Sequence, residues 1–331
     1  MVVTTIVLVI KIVIILIVLM LSVAYLTYVE RKVVGHMQQR LGPTHVGWKG
    51  LLQPIADAVK LIAKEDILPS MVDKPVYIIA PIISFVCTMS AFAVIPFAGK
   101  FMLFGTSIQP YIADINIAVL YFLALSSVGG YGIIMAGWAS NSKYALLGSL
   151  RSSAQMISYE TAMGFAIVGP VLLAGSLNLR EIVEAQKQLW FIIPQFVAFV
   201  IYIIAAVAET NRVPFNLVEA ESELVAGFHV EYASMKFALF FLAEYAAMIL
   251  TACVATVLFL GGWHGPFLPD IVWFIIKVLF VLFIYLWLES TLPRLRFDQL
   301  MALGWKILIP ISIANLLVTS VVVYIVRYGS N

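Results

Sequence analysis

Two apolar runs flank one acidic stretch in the middle of the chain: LWFIIPQFVAFVIYIIAAVA (189–208), ETNRVPFNLVEAESELVAGFHVEYASM (209–235) and KFALFFLAEYAAMILTACVATVLFL (236–260). Each apolar run has the length of a membrane-spanning helix. The stretch between them contains five of the chain's 18 acidic residues, namely Glu209, Glu219, Glu221, Glu223 and Glu231. A loop that only joins two spans needs no such density of carboxylates. We therefore expect it to have a function, against the alternative of a solvated acidic loop.

The spacing of these carboxylates bears on proton chemistry. A helix from Val218 to Ala226 would place Glu219 and Glu223 four residues apart on one face. Like charges so placed repel, and repulsion or burial raises a carboxylate's pKa toward the range where it exchanges protons. The acidic stretch is thus a candidate for proton transfer at a membrane surface.

Composition places the whole chain in a membrane. It has 331 residues, of which 63% are hydrophobic and 11% charged, and its mean hydropathy is +1.03. Apolar runs of helix length, without alternating ten-residue segments, predict helices rather than a barrel. The first run, 12–28, is too long for a cleavable signal and no small-residue cleavage site follows it. We predict an all-α integral membrane protein, one polytopic domain over 1–331, with about eight spans at 3–29, 75–98, 113–138, 152–174, 189–208, 236–260, 270–289 and 305–327.

The basic residues predict the orientation of the bundle. Fourteen of the 20 Lys and Arg residues fall in four connections, 30–74, 139–151, 209–236 and 290–306. By the positive-inside rule these connections lie on the cytoplasmic side and both termini lie outside.

In the first connection, Trp48, Leu52, Ile55, Val59 and Ile62 share a helical face opposite polar residues, and Pro54 fits only near a helix start. An amphipathic helix in the membrane interface, beginning near Leu52, is predicted; a helix folded against a soluble partner fits the same pattern.

Residues typical of redox or metal sites are scattered. Cys87 and Cys253 lie singly in apolar segments, and the four histidines have no ligand spacing, so we predict no metal or iron–sulfur cluster in this chain. Small residues cluster in the third span, at 126–137, and predict close helix packing rather than a nucleotide loop.

Ionisable residues inside the spans are the strongest functional signal, because each costs roughly 2.5–3.5 kcal/mol to insert. Glu160 and Glu244 would lie about 13 and 12 Å from the cytoplasmic surface, and Glu209 would close the fifth span there. These three carboxylates predict a buried relay leading to the acidic stretch; isolated polar contacts between helices are the alternative. Lys277 would lie deeper. In the last cytoplasmic connection, a topogenic role would explain the basic residues but not Asp298. A docking surface for a soluble partner, formed by Arg294, Arg296, Asp298 and Lys306, is the other interpretation.

Four motifs resemble, in order and spacing, the family of H subunits of NADH–quinone oxidoreductase: VERKVVGHMQQRLGPTHVGWKGLLQPIADAVKLIAKED (29–66), SKYALLGSLRSSAQMISYE (142–160), AETNRVPFNLVEAESELVAGFHVEYASMKFALFFLAEY (208–245) and TLPRLRFDQLMALGWK (291–306). The resemblance covers almost the whole chain and implies eight transmembrane helices with cytoplasmic amphipathic helices. It implies a membrane component that walls the quinone path and couples quinone reduction to proton translocation, in a bacterial inner membrane. The substrate would be ubiquinone or menaquinone, and the partners would be iron–sulfur, quinone-site and antiporter-like subunits and lipid, not nucleic acid.

The resemblance also assigns site residues. Those implied at the quinone cavity are Arg31, Arg40, Asp57, Phe228, Arg294 and Arg296. Those implied in the proton relay are Glu160, Glu209, Glu219, Glu221, Glu223 and Glu244. Two positions depart from the family pattern, since Asn216 stands where the family usually has Asp and Glu289 where it usually has Arg.

Two other functions remain open from the sequence. A homologous membrane component of a hydrogenase or other ion-translocating complex would use no quinone, and its large partner protein would distinguish it. A stand-alone carrier is disfavoured because the chain has no internal repeat.

Overall fold

The fold is a bundle of long apolar helices. The computed structural model describes residues 2–99, 101–103, 106–108, 110–217 and 225–328. Seven helices of these residues are long and apolar enough to cross a membrane, and the shorter apolar helix Phe196–Glu209 accompanies them. The predicted all-α membrane protein with about eight spans is thereby confirmed.

Eleven helices follow one another along the described residues. Their bounds are α1 (Val2–Met37), α2 (Gln53–Ala63), α3 (Lys74–Ala91), α4 (Ala118–Ala139), α5 (Lys143–Ala174), α6 (Leu179–Ala185), α7 (Phe196–Glu209), α8 (Ser234–Phe259), α9 (Asp270–Thr291), α10 (Phe297–Ala302) and α11 (Ile309–Tyr328). A π-helical turn, Leu303–Leu308, joins α10 to α11. Two short antiparallel strands, β1 (Phe101–Leu103) and β2 (Thr106–Ile108), pair with Phe101 opposite Ile108 and add a small hairpin that the all-helical prediction lacked.

Two helices differ from their predicted spans. Helix α7 begins at Phe196 although the apolar run begins at Leu189. Pro194 lacks an N–H and disfavours helical backbone at Ile193, so the preceding residues form turns. Such irregular backbone is tolerated at membrane depth where protein covers it. Helix α5 instead extends to Lys143, so most of the predicted connection 139–151 is helical.

Successive membrane-spanning helices alternate in direction, which brings the basic connections to one end of the bundle. There the Asp73 N–H donates to the Ala139 carbonyl at 3.1 Å, and the Tyr159 hydroxyl donates to the Leu300 carbonyl at 2.9 Å. We call this the basic end. At the opposite end the Ile192 N–H donates to the Phe259 carbonyl at 2.8 Å.

Helix α8 lies at the centre of the bundle. Almost every residue from Tyr245 to Phe259 is buried, and α8 packs against α1, α3 and α9. By contrast α1 and α11 present apolar side chains outward; Ile14 and Val318 are 54% and 64% exposed. A helix that is apolar on all sides suits lipid on one side and protein on the other.

The small residues of α4 allow the close helix contact that the sequence predicted. The Ser84 hydroxyl of α3 donates to the Gly129 carbonyl at 3.0 Å. A Cβ at Gly132 would lie 2.7 Å from the Ala80 carbonyl oxygen, so only glycine fits there. Because glycine has no side chain, the backbones of α3 and α4 come close enough for the Ser84 hydroxyl to reach the Gly129 carbonyl.

The amphipathic helix is also present, as α2. It begins at Gln53 with Pro54 in its first turn, as predicted. Its apolar residues Ile55, Val59 and Ile62 are 55–67% exposed in the isolated chain. This apolar face is therefore free to meet lipid or a partner protein.

Candidate functional site

Arg212 is the centre of a charged cluster at the basic end. It follows α7, is only 8% exposed, and contacts carboxylates from three helices. Its Nη1 lies 3.0 Å from Oε1 of Glu30 on α1 and 3.5 Å from Oε1 of Glu289 on α9. Its Nε lies 2.9 Å from Oε1 of Glu244 on α8. We call these four residues the Arg212 cluster.

The surroundings of Arg212 fix both its charge and its position. Burial acts to lower the pKa of its guanidinium, but the carboxylates of Glu244, Glu30 and Glu289 outweigh burial and raise it well above its ordinary value. The Tyr245 ring lies 4.3 Å from the guanidinium carbon, which adds a cation–π contact. A permanently charged, buried group therefore ties α1, α8 and α9 to the residues after α7.

Two adjacent serines of α4 bind the other buried glutamates. The Ser126 hydroxyl donates to Oε1 of Glu209 at 2.5 Å, and the Ser127 hydroxyl contacts Oε1 of Glu160 on α5. Ser127 also lies 3.0 Å from the Leu123 carbonyl, and a hydroxyl has only one proton to donate. Two adjacent residues of α4 thus contact Glu160 of α5 and Glu209 of α7.

A cavity of about 90 Å³ lies between Glu209 of this pair and Glu244 of the Arg212 cluster. Glu209, Glu244, Ser126 and Phe228 are among the residues that line it. A cavity of this size with several polar groups is large enough for water. Of the three glutamates predicted to form a relay, Glu160 and Glu209 thus contact adjacent serines, and Glu209 and Glu244 line one cavity. Glu244 is also paired with Arg212.

Comparisons with known proteins give the family. The family model described as NADH dehydrogenase matches residues 10–320. The chain is 53% identical to an H subunit of NADH-quinone oxidoreductase from Geobacter sulfurreducens, with 96% of this chain and 94% of that protein covered. It is 51% identical to the H subunit of the NADH-quinone oxidoreductase of Paramagnetospirillum magneticum, with coverage of 95% and 91%. The chain belongs to the family of H subunits of NADH-quinone oxidoreductase. The resemblance noted in the sequence is confirmed.

The residues assigned to the quinone cavity fall in more than one place. Arg31 and Asp57 are brought together, because the Arg31 Nη1 of α1 lies 2.8 Å from Oδ2 of Asp57 on α2. Arg40 is exposed in the connection between these helices. Phe228 is 7% exposed and lines the same cavity as Glu209 and Glu244, on the side of the relay.

The last connection carries the remaining assigned arginines. Arg294 is exposed, and Arg296 pairs with Asp298 at 2.8 Å. The Asp298 hydrogen bond and charge raise the pKa of Arg296. This connection is fixed to the loop that holds Arg212, because the Leu295 N–H donates to the Pro214 carbonyl at 3.0 Å. Both basic residues therefore lie on the surface expected to meet a partner.

Several predicted features lie elsewhere or outside the described residues. Glu219, Glu221 and Glu223, with the helix predicted around them, fall in the part that the structure does not describe. Within the described ranges no group of three or more His, Cys, Asp or Glu is placed to hold a metal ion. Lys277 lies at the opposite end, where its Nζ donates to the Leu260, Gly262 and His264 carbonyls.

Sequence reasoning missed Glu30, Ser126, Ser127 and the pairing of Glu289. Glu30 was counted only as part of a connection, and the serines only as small packing residues. The one available signal was Arg212 itself, an isolated cation at the start of an acidic stretch, which implies carboxylate partners from elsewhere in the chain.

Proposed function

We propose that this chain forms the quinone-access chamber of an NADH:quinone oxidoreductase and couples quinone reduction to proton translocation through its buried glutamates. Reducing a quinone to a quinol takes a pair of electrons and a pair of protons. The electrons come from NADH through redox centres in partner subunits. This chain supplies the path for quinone at the basic end and the ionisable groups that respond to the reduction.

One observation carries the proposal. Glu160, Glu209 and Glu244 come from three helices, yet two adjacent serines contact the first two, and one cavity with several polar residues in its lining is shared by the last two. Buried ionisable groups are costly in a membrane protein, and purely structural packing does not require three of them at one place. Carboxylates joined by hydroxyls and water-sized space are suited to passing protons between them.

The neighbouring features support the quinone part of the proposal. The apolar face of α2 is exposed, and its polar face carries the Arg31–Asp57 pair. A quinone with an apolar tail and a polar head group matches such a two-faced helix at the membrane surface. The names of the relatives favour this function over the hydrogenase-type alternative, which would use no quinone.

The orientation follows from the charges. We place the basic end on the cytoplasmic side of a bacterial inner membrane, with both termini on the outer side. The iron–sulfur and quinone-site partners then dock on the basic connections, and small and antiporter-like membrane subunits pack along the bundle. No redox centre is assigned to this chain.

Glutamine at Glu209 tests the proton path. The amide keeps the shape of the side chain but cannot exchange a proton, so the assembled complex should translocate few protons and reduce quinone slowly. Proton uptake and electron rate are measured together in sealed vesicles, with Glu181→Gln, an exposed residue of α6, as the matched control. Unchanged proton uptake per electron in Glu209→Gln would refute the relay.

Asparagine at Asp57 tests the quinone path. It removes the charge that holds Arg31, so quinone reductase activity should fall while electron transfer from NADH to an artificial acceptor upstream persists. The same comparison applies to Arg40→Ala. Lys60→Ala, an exposed position of the same helix, serves as control. If both activities fell equally, the loss would reflect failed assembly and not the quinone site.

A further inference from the structure

The connection between α8 and α9 carries a phenylalanine that its own chain leaves completely uncovered. The Phe267 side chain is 104% exposed in the isolated chain, and Leu268 beside it is 45% exposed. Large apolar side chains are ordinarily removed from water on folding, because their contact with water is unfavourable. The two neighbours therefore form an apolar tip at the end of the bundle opposite the basic end.

The backbone holds this tip in a conformation that phenylalanine rarely adopts. The φ of Phe267 is +68°, in the left-handed region that favours glycine. The Leu268 N–H donates to the Pro266 carbonyl at 2.9 Å, which closes a tight turn of three residues around Phe267. A bulky side chain at positive φ costs free energy, so its presence at an exposed position points to a use for the side chain.

The turn stands on a rigid support. The Trp273 indole N–H of α9 donates to the same Pro266 carbonyl at 2.7 Å. A Cβ at Gly265 would lie 2.3 Å from the Trp273 ring, so the backbone lies directly against that ring. On the side toward α8, the Lys277 ammonium donates to the His264 carbonyl at 2.6 Å. The exposure of the phenylalanine ring is therefore a property of a fixed turn and not of a loose loop.

The turn lies at the level where lipid head groups meet the hydrocarbon. Helix α9 has 22 residues, from Asp270 to Thr291. At the usual rise this is about 33 Å, close to the roughly 30 Å of the hydrocarbon core. Phe267 comes three residues before the first residue of α9, and so lies at the boundary between membrane and water. Aromatic side chains are enriched at this boundary.

The sequence around the turn fits lipid better than water. Residues 260–269, LGGWHGPFLP, include no Asp, Glu, Lys or Arg, whereas the connections 92–117 and 175–195 at the same end contain charged residues. Along α9, Ile271, Ile275 and Leu279 recur every four residues on one face and are 46–57% exposed. One apolar surface thus extends along a membrane-spanning helix to its first turn, next to Phe267. Lipid that surrounds this helix also reaches the tip.

We propose that the turn 266–268 is a membrane anchor, in which Phe267 inserts into phospholipid at the interface and Leu268 lies beside it. The anchor fixes the depth of the connection between α8 and α9 in the membrane. Contact with lipid follows from the fold; that this lipid belongs to the outer leaflet rests on the orientation proposed above.

Photocrosslinking in the assembled complex tests what covers the tip. The photoreactive analogue p-benzoylphenylalanine is incorporated in place of Phe267 and, as a control, in place of Glu181, an exposed charged residue at the same end. The complex is irradiated in nanodiscs of phosphatidylethanolamine and phosphatidylglycerol, and its peptides are analysed by mass spectrometry. At 267 the peptide should gain the mass of a phospholipid, and at 181 this adduct should be many-fold weaker.

Three outcomes would overturn the anchor. An adduct between position 267 and another subunit would show a protein interface. The absence of any adduct would show that the ring lies in water, which offers no carbon–hydrogen bond for the excited ketone to attack. Equal lipid adducts at 267 and 181 would show only random collision with the membrane surface.

Two substitutions separate the side chain from the turn. Asparagine tolerates positive φ better than phenylalanine but has no apolar ring, whereas tryptophan keeps an interfacial aromatic. In nanodiscs, the amides of 265, 267 and 268 should exchange several-fold faster in Phe267→Asn than in wild type, because the turn has lost its lipid contact. They should remain close to wild type in Phe267→Trp. Unchanged or slower exchange in Phe267→Asn would mean that the turn needs no anchor.

Discussion

Replacing Lys277 by methionine tests whether a buried ammonium inside a span is a structural cap or a step in proton transfer. Lys277 is 6% exposed on α9. Its Nζ donates to the carbonyls of Leu260, Gly262 and His264 at 2.6, 3.0 and 2.6 Å. These carbonyls belong to the turn after α8, where helical partners are absent. The geometry indicates a cap.

The magnitude follows from the groups left behind. Methionine has a similar length but cannot donate, so three carbonyls lose a donor at about 1–3 kcal/mol each. The variant also no longer buries an ammonium, and avoiding this desolvation penalty offsets the loss by several kcal/mol. With the loss at the upper end of its range, about 9 kcal/mol, and a return of about 6 kcal/mol, the net loss is about 3 kcal/mol. That corresponds to roughly a 100-fold rise in local opening of the turn.

Hydrogen exchange of the assembled complex, read by mass spectrometry, measures that opening. Amides at 261–264 should exchange roughly 100-fold faster in Lys277→Met, whereas quinone reduction per assembled complex should be retained. Lys187→Met removes an exposed ammonium at the same end and is the control. Unchanged exchange together with a several-fold fall in turnover would refute the cap and make Lys277 part of the chemistry.

Two further predictions concern topology and pH. Single cysteines at Ser142 and Gln188 should label from opposite sides of the membrane, because they lie at opposite ends of the bundle; labelling from one side would contradict the alternating helices. Burial and the Lys187 charge lower the pKa of His264, so its contribution to stability is present above about pH 6.5 and lost as pH falls. The rates of thermal inactivation at pH 5.5 and 7.5 should therefore differ less in His264→Gln than in wild type. An equal difference in both proteins would show that His264 does not cause the loss of stability at low pH.

Hydropathy predicted the spans because each helix must be apolar over its whole length to cross a membrane. It could not predict that α7 starts at Phe196, since a run of apolar residues does not reveal whether lipid or protein covers it. The proline at 194 was the only local signal. Hydropathy also failed to predict that α5 begins as early as Lys143. The residues from 143 to 151 include charged and polar side chains, which end an apolar run but do not end a helix at the membrane surface.

The candidate site was only partly predictable. Burial depth counted along each span identified Glu160, Glu209 and Glu244, since depth is a local property of a helix. Pairing is not local: Arg212 meets Glu30 and Glu289 across 182 and 77 residues of sequence. The departure at Glu289, which looked like a charge reversal in isolation, is matched in the structure by a cation on another element.

The assigned quinone residues and the buried glutamates are joined through consecutive residues of α1. Arg31 is paired with Asp57 on α2, while Glu30, one residue earlier, is paired with Arg212 and through it with Glu244 on α8. A second connection runs through the backbone, because the Ser234 hydroxyl at the start of α8 lies 2.9 Å from both the Leu61 and the Lys64 carbonyl oxygens at the end of α2 and donates its one proton there. Residues one apart on a helix cannot move independently, and a capped helix end cannot shift without its cap. Two separate physical contacts therefore join the polar face of α2 to the helix that carries Glu244.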